Sequence, residues 1–443
     1  MKKIKNKNFG LFPEKPIYQG SIEIKQLSDR QKIMSNNPET LTLEDVKNAA
    51  KAFDGAIKHT PTNHAITLSG ITGADIYIKL ENNQFTASFK ERGALNKLLN
   101  LSHEQQRNGV IAASAGNHAQ GVAYHGSRLK IPTTIAMPLG TPFVKISNTE
   151  ALGAKVVQVG ERFDETAEAA LKIAEEQGLT VVHPFDDYHV MAGQGTIALE
   201  LLSDVPDLDI IVVPVGGGGL IAGIATAAKA INPGIKVIGV QSERFPSLYR
   251  SLNGQEYVAQ GSTLAEGIAV KTIGEKTIEV CKKVVDDILL VSEDEIEKAV
   301  GLLLTVEKTV VEGAGACPLA AVIRYPDIFK GKKVGLVVTG GNIDTRLLAS
   351  ILMRGLVRDG RITRLRIELP DVPGALSVIS SIIGNQGGNI IDVSHHRLFT
   401  ELPAKETYSN ITLETRDARH LQDILDELRE EGFVVNVNRN IDM

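Results

Sequence analysis

Asp209-Ile210-Ile211-Val212-Val213-Pro214-Val215 runs without a break into Gly216-Gly217-Gly218-Gly219-Leu220. An apolar run of this length reads as a strand buried on both faces, central in a parallel sheet. The glycines that follow strip every Cβ from one concave turn, so a phosphate can approach the backbone amides closely. A tight turn alone needs only one or two glycines.

Working outward, strands and helices alternate on both sides of this stretch. Ile76 to Leu80, Val110 to Ser114, Thr133 to Met137, Val156 to Val159 and Val181 to Pro184 read as strands. Val237 to Val240, Ile288 to Val291 and Val334 to Val338 continue the theme, with helical segments such as Asn117 to about Arg128 between them. Thr42 and Asp45 predict a capped helix start near Leu43. The βαβ rhythm implies a doubly wound α/β architecture with ligands at the carboxyl ends of the strands. Near Arg358 to Thr363 the pattern changes. Strands at Arg364–Leu369, Asn389–Val393, Tyr408–Leu413 and Phe433–Val437 enclose helices beginning at Pro373-Gly374 and at Ala418. This is a ferredoxin-like βαββαβ unit.

The composition excludes several classes. A length of 443 residues, 43% hydrophobic and 23% charged, is that of an ordinary globular protein of two or three domains. The net charge of -5 argues against nucleic acid as a partner. No apolar run reaches membrane-spanning length, so no membrane association is expected. Cys281 and Cys317 stand alone and far apart, which suits reduced thiols in a cytoplasmic protein. No HExxH, CxxC or P-loop pattern occurs, and the adjacent His395 and His396 would point to opposite faces of a strand, so no metal site is expected. Residues 1–37, with Lys2, Lys3, Lys5 and Lys7 but no apolar segment behind them, read as an N-terminal extension.

Ser88-Phe89-Lys90-Glu91-Arg92-Gly93 carries the first chemical signal. Ser88 and Glu91 have the spacing of a capping box, which predicts Ser88 as N-cap and Glu91 as N3. Lys90 then falls in the first helical turn, where the dipole disfavours a cation. A buried amine there would be driven toward its neutral, nucleophilic form. On its own the residue reads equally as a surface lysine. Three Gly-rich turns add to it: Ser114-Ala115-Gly116-Asn117-His118, Gly216 to Leu220, and Thr339-Gly340-Gly341-Asn342. Each follows a strand and can present N–H groups to an anion. The second also fits a dinucleotide fingerprint, Gly217-x-Gly219-x-x-Ala222 with Glu243 near the end of the next strand, as in an NAD-dependent dehydrogenase. That reading leaves Lys90 and the other two turns without a purpose.

A lysine, a phosphate cradle, a carboxylate cradle and a neutral hydroxyl together match the needs of pyridoxal phosphate chemistry on an amino acid. Ser88-Phe89-Lys90, Ser114 to His118, Gly216 to Leu220, Glu312-Gly313-Ala314-Gly315-Ala316 and Thr339 to Asn342, in that order, resemble the threonine dehydratases (threonine ammonia-lyases) of fold type II. The resemblance implies two doubly wound α/β subdomains across residues 38–356. It implies Lys90 as the catalytic base that also holds pyridoxal 5′-phosphate as a Schiff base. Phe89 would pack beside the ring, Asn117 would bond the 3′-oxygen, Gly216 to Leu220 would hold the phosphate, and Thr339 would face the pyridine nitrogen. The Ser114, Ala115, Gly116, Asn117 and His118 turn would take the substrate carboxylate. Glu312 would contact the ring or cap a helix. The implied reaction is β-elimination of threonine to 2-oxobutanoate and ammonia, with serine as a second substrate; serine and hydroxyaspartate dehydratases are related alternatives. Racemases resembling this family carry a serine where Ala115 stands, so Ala115 implies a lyase with little racemase activity. Residues 363–443 resemble an ACT domain, with Asp371-x-Pro373-Gly374-x-Leu376 as its first loop. That implies a small amino-acid effector, such as isoleucine or valine, and a homodimer or homotetramer.

Overall fold

The computed structural model describes residues 40–443 apart from residues 260, 397–402, 404 and 439–443. The expected N-terminal extension therefore lies outside the described residues. The chain divides into two compact units, residues 1–343 and 344–443. The helix Thr345–Arg358 thus goes with the second unit, so the division falls ahead of the 356–363 junction expected from sequence.

Two sheets build the first unit. The larger has the order β1 (Thr62–His64), β2 (Asp75–Leu80), β10 (Lys333–Val338), β7 (Ile210–Pro214), β8 (Lys236–Ser242), β9 (Asp287–Val291). All its pairs are parallel except β1 with β2. β7 is buried along its whole length, as its apolar run requires. The smaller sheet is parallel, in the order β5 (Lys155–Gln158), β4 (Thr133–Met137), β3 (Val110–Ala113), β6 (Thr180–Val181). β6 is shorter than the expected Val181 to Pro184. Only Thr180 and Val181 pair with β3 in the ladder, and Pro184 has no N–H to give.

Helices cover both sheets. Thr42 does cap the helix Leu43–Phe53 in a full capping box with Asp45. The helix Tyr188–Asp204 crosses the helix Gly219–Ile231 at backbone contact distance. A Cβ on Gly223 would stand 2.1 Å from the Met191 carbonyl oxygen, and one on Gly195 2.7 Å from that of Gly223. Among the described residues no helix is long and apolar enough to cross a membrane.

In the second unit β11 (Ile362–Pro370), β12 (Asn389–His396), β13 (Glu406–Glu414) and β14 (Val434–Asn438) form one antiparallel sheet, ordered β12-β13-β11-β14. The helices Ala375–Asn385 and Ala418–Glu430 complete βαββαβ. Leu365, Ile367, Ile411 and Leu413 point from the sheet to Ile379, Ile383, Ile424 and Leu428, giving this unit its own core. His396 stacks on Tyr408 at 4.8 Å, whereas His395 stands opposite the buried Ser409, so the two histidines do lie on opposite faces.

Candidate active site

Lys90 opens the helix Lys90–Leu99, and the capping box expected at Ser88 is not formed. Phe89 is the residue before the helix, and no side chain caps it. A contact distant in sequence overrides the local signal. Ser88 bridges to Gly340, and the Phe89 N–H donates to the Thr339 carbonyl at 3.1 Å. The Ser88 hydroxyl instead accepts from the Lys90 N–H at 3.2 Å, and Glu91 reaches back to accept from the Thr86 N–H. Between them Ala87 takes φ +53°, a left-handed conformation that costs a non-glycine residue about 1–2 kcal/mol.

Small residues box in this turn. A Cβ on Gly121 would lie 3.2 Å from the Lys90 carbonyl, and one on Gly193 2.5 Å from that of Arg92. The Lys90 ammonium or amine donates to the Pro184 carbonyl at 2.8 Å, and Nζ lies 5.1 Å from the centre of the Phe89 ring. Burial lowers its pKa to about 8, against an opposing pull from Glu312. A substantial fraction of Lys90 is therefore neutral just above physiological pH.

Asn117 begins the helix Asn117–Leu129, on the smaller sheet's side. Its Nδ2 donates to Glu312 Oε1 at 2.8 Å, and its Oδ1 accepts from Asn342 Nδ2 at 2.7 Å. Glu312 stands at the start of the helix Gly313–Arg324 without capping it, which removes the helix-cap alternative. Burial raises the Glu312 pKa to about 7, against the hydrogen bond from Asn117. Ser114 Oγ accepts from the Gly116 N–H at 3.2 Å, and Ala115 is half-buried beside it. His118 is buried; its Nε2–H donates to the Val182 carbonyl at 2.9 Å, and burial pushes its pKa down to about 3.

Gly216 to Leu220 join β7 to the helix Gly219–Ile231, with Gly218 at φ +85°. Among the described residues no acceptor takes the N–H groups of Gly217 to Leu220. Gly217 is confined: a Cβ there would meet the Phe185 ring at 2.2 Å. Thr339 follows β10 directly and is buried. Asn117, Glu312 and Asn342 are thus joined by hydrogen bonds, and the Thr339 carbonyl takes the N–H of Phe89, the residue before Lys90. Glu243, on which the dinucleotide reading leaned, is held by Arg324 at 2.6 Å.

Residues 53–340 match the family model described as pyridoxal-phosphate dependent enzyme, and residues 359–439 match the ACT domain. The chain belongs to the pyridoxal-phosphate dependent enzymes. It is 47% identical over 399 residues to an L-threonine ammonia-lyase of Thermotoga maritima, covering 90% of this chain and 99% of that one. A second L-threonine ammonia-lyase, from Geobacter sulfurreducens, is 45% identical over 385 residues, covering 86% and 95%. Among solved structures, the processed form of threonine deaminase isoform 2 from Solanum lycopersicum aligns with a TM-score of 0.67 and 36% identity, over 75% of this chain and 89% of that one. Serine racemase from Dictyostelium discoideum aligns with a TM-score of 0.64 and 37% identity, over 69% and 99%.

The residues present fit the family's cofactor: a buried lysine of lowered pKa, and a glycine turn whose amides are free to take a phosphate. Sequence reasoning overlooked two neighbours. His183 Nδ1 accepts from the N–H groups of Asp186 (2.7 Å) and Phe185 (3.3 Å), which leaves the ring neutral with its proton on Nε2. Arg92, two residues after Lys90, is fully buried between Glu81 and Glu200. Only its position beside Lys90 could have pointed to it.

Proposed function

We infer that this chain is an L-threonine ammonia-lyase, a carbon–nitrogen lyase that converts L-threonine to 2-oxobutanoate and ammonia. The observation that carries the reading is the buried Lys90 amine, hydrogen-bonded to Pro184 within the motif set of a chain matched nearly end to end by L-threonine ammonia-lyases. When bound, pyridoxal phosphate supplies the electron sink for charge developing at the substrate's α-carbon. Lys90, once released, takes the α-proton, and its lowered pKa suits a base working near neutrality. The amides of Gly216 to Leu220 hold the phosphate, and the Ser114 to His118 turn holds the substrate carboxylate. Phe89 and Glu312 would flank the ring, and Asn117 would donate to the 3′-oxygen. Thr339 gives the ring nitrogen a neutral hydroxyl, which limits the sink and favours elimination over longer-lived carbanion chemistry.

One methyl group discriminates by only about 1–3 kcal/mol, so serine is also deaminated, to pyruvate. The ACT domain takes a small amino acid, isoleucine or valine, and sets activity through it in a cytoplasmic homodimer or homotetramer, in a biosynthetic or a degradative role. The test is direct assay of the purified protein. 2-Oxobutanoate and ammonia should appear in equal amounts from L-threonine, with a borohydride-sensitive visible band in the protein. Absence of both products with L-threonine and with L-serine overturns the reading.

A further inference from the structure

Asn117 is the one side chain here that is directed from both ends. Glu312 carries a carboxylate oxygen 2.8 Å from its Nδ2. Asn342 spends Nδ2 on two acceptors at once, the Thr86 carbonyl at 2.9 Å and Asn117 Oδ1 at 2.7 Å. Because a backbone carbonyl only accepts, Thr86 fixes which end of the Asn342 amide is nitrogen. Asn342 then requires an oxygen from Asn117, and Glu312, when ionised, requires a nitrogen. A flipped Asn117 would set oxygen against Glu312 and nitrogen against nitrogen. The carboxamide therefore has one satisfied orientation, in which its second N–H remains unspent.

We propose that Asn342 is a positioning residue that, together with Glu312, locks the Asn117 carboxamide with its nitrogen turned to the cofactor side. The inference rests on the reading of Asn117 as the donor to the 3′-oxygen, and deepens it. The smaller sheet supplies Asn117, whereas Asn342 and Thr86 flank strands of the larger one. The lock therefore ties donor orientation to the Lys90 turn, which Thr86 precedes by four residues. A neutral amide at 342 is needed, because a carboxylate offers no N–H to either acceptor.

Asn342→Asp is the decisive change. It sets an oxygen against both the Thr86 carbonyl and Asn117 Oδ1, so Asn117 turns over and presents its oxygen to Glu312. Glu312→Gln supplies an N–H to that oxygen. Melting of the full chain, at one fixed concentration of pyridoxal phosphate, should show N342D losing several degrees and E312Q alone changing little. The double variant should recover more than half of the loss. In an Asn117→Ala background the recovery should vanish, although direct repulsion between two acids would survive there. The Asn342 backbone N–H, which also faces Glu312, is present in every variant. In the holoenzyme, N342D should move the visible band to shorter wavelength, and the double variant should keep that altered band despite its restored stability.

Should N342D not accumulate as folded protein, Asn342→Ala decides. N342A leaves Glu312 directing Asn117 and should keep the wild-type spectrum; N342A/E312Q should shift further than E312Q alone, the proper reference because Glu312 itself lies at the ring. Additive melting shifts, recovery that persists without Asn117, a wild-type spectrum in N342D, or an N342A/E312Q spectrum no further shifted than that of E312Q would overturn the proposal. A wild-type protein with no visible band at all would instead refute the cofactor role of Asn117, and the melting comparison would still decide the lock.

Discussion

Lys90 shows how little a residue's own chemistry says until its surroundings are known. Burial brings its pKa down to about 8 from 10.5. Between those values the unfolded chain holds a proton that the native chain has shed, so native stability rises with pH through that window. The melting temperature of cofactor-free wild type, taken relative to that of Lys90→Met, should climb between pH 8 and 10; the comparison cancels Cys281 and Cys317, whose thiols burial pushes up and which pull the other way in both proteins. The same replacement should lower threonine deamination by about a thousandfold or more, since a positioned base is worth roughly 10²–10⁴. A difference between the two proteins that stays constant with pH would place the ammonium in water.

Ala115 argues from what it lacks. A methyl group neither donates nor accepts a proton, so no exchange can be run from that position. D-Serine should form at well under the rate of pyruvate when L-serine turns over, by chiral chromatography of the reaction mixture. Comparable rates would mean that another group reaches the opposite face of the substrate.

At the scale of elements, legibility depended on where the cause of a structure lies. The β7 run and the glycines after it were readable because strand burial and the open turn both follow from residues adjacent in the chain. Thr42 and Asp45 were readable for the same reason, and their capping box is present. Ser88 and Glu91 have the same spacing, yet Gly340, in the turn after β10, bridges to Ser88 instead. The Glu312–Asn117–Asn342 chain was legible only in part: the resemblance implied roles for Asn117 and Glu312, but their contact and the part played by Asn342 arise only where the fold brings the three together. Arg92 escaped notice, for a charged residue in a helix reads as solvated.

Arg92 in fact anchors the helix that begins with Lys90. Its Nε and Nη2 donate to Glu81 at 2.7 Å, its Nη1 to Glu200 at 2.6 Å and to Thr196 at 3.0 Å. Lys79, also buried, bonds Glu200 at 2.7 Å and the Thr60 carbonyl at 2.7 Å. The guanidinium holds the Glu81 carboxyl below the usual carboxylate range in spite of burial. Arg92→Met leaves Glu81 buried without its cation and should cost roughly 3–5 kcal/mol in denaturant unfolding. A loss below about 1 kcal/mol would show that Lys79 alone neutralises the cluster.

For the whole molecule, the two units divide the work. Every residue assigned to the chemistry lies before residue 344, and the second unit has its own core. A regulatory ligand acts only through unequal affinity for more and less active states. Ending the chain after Arg361 keeps the helix Thr345–Arg358 and removes the ACT sheet. The shortened enzyme should deaminate threonine within about threefold of the full chain and ignore isoleucine and valine, whereas the full chain responds to at least one. The assay compares both proteins at matched oligomeric state. A full chain indifferent to every amino acid tried, and binding none by calorimetry, would leave the ACT domain an assembly role only.

The bracing of the Lys90 turn by the segment after β10 also bears on how the protein is made. Thr86 and Asn342, which meet across that brace, are 256 residues apart. On the ribosome, at about 5–20 residues per second, the lysine emerges tens of seconds before the residues that hold it. β2, paired with both β1 and β10, waits equally long for its second neighbour. Nascent chains therefore carry a reactive-site lysine on an incomplete sheet for most of their synthesis, and cofactor capture becomes a late event, close to chain release.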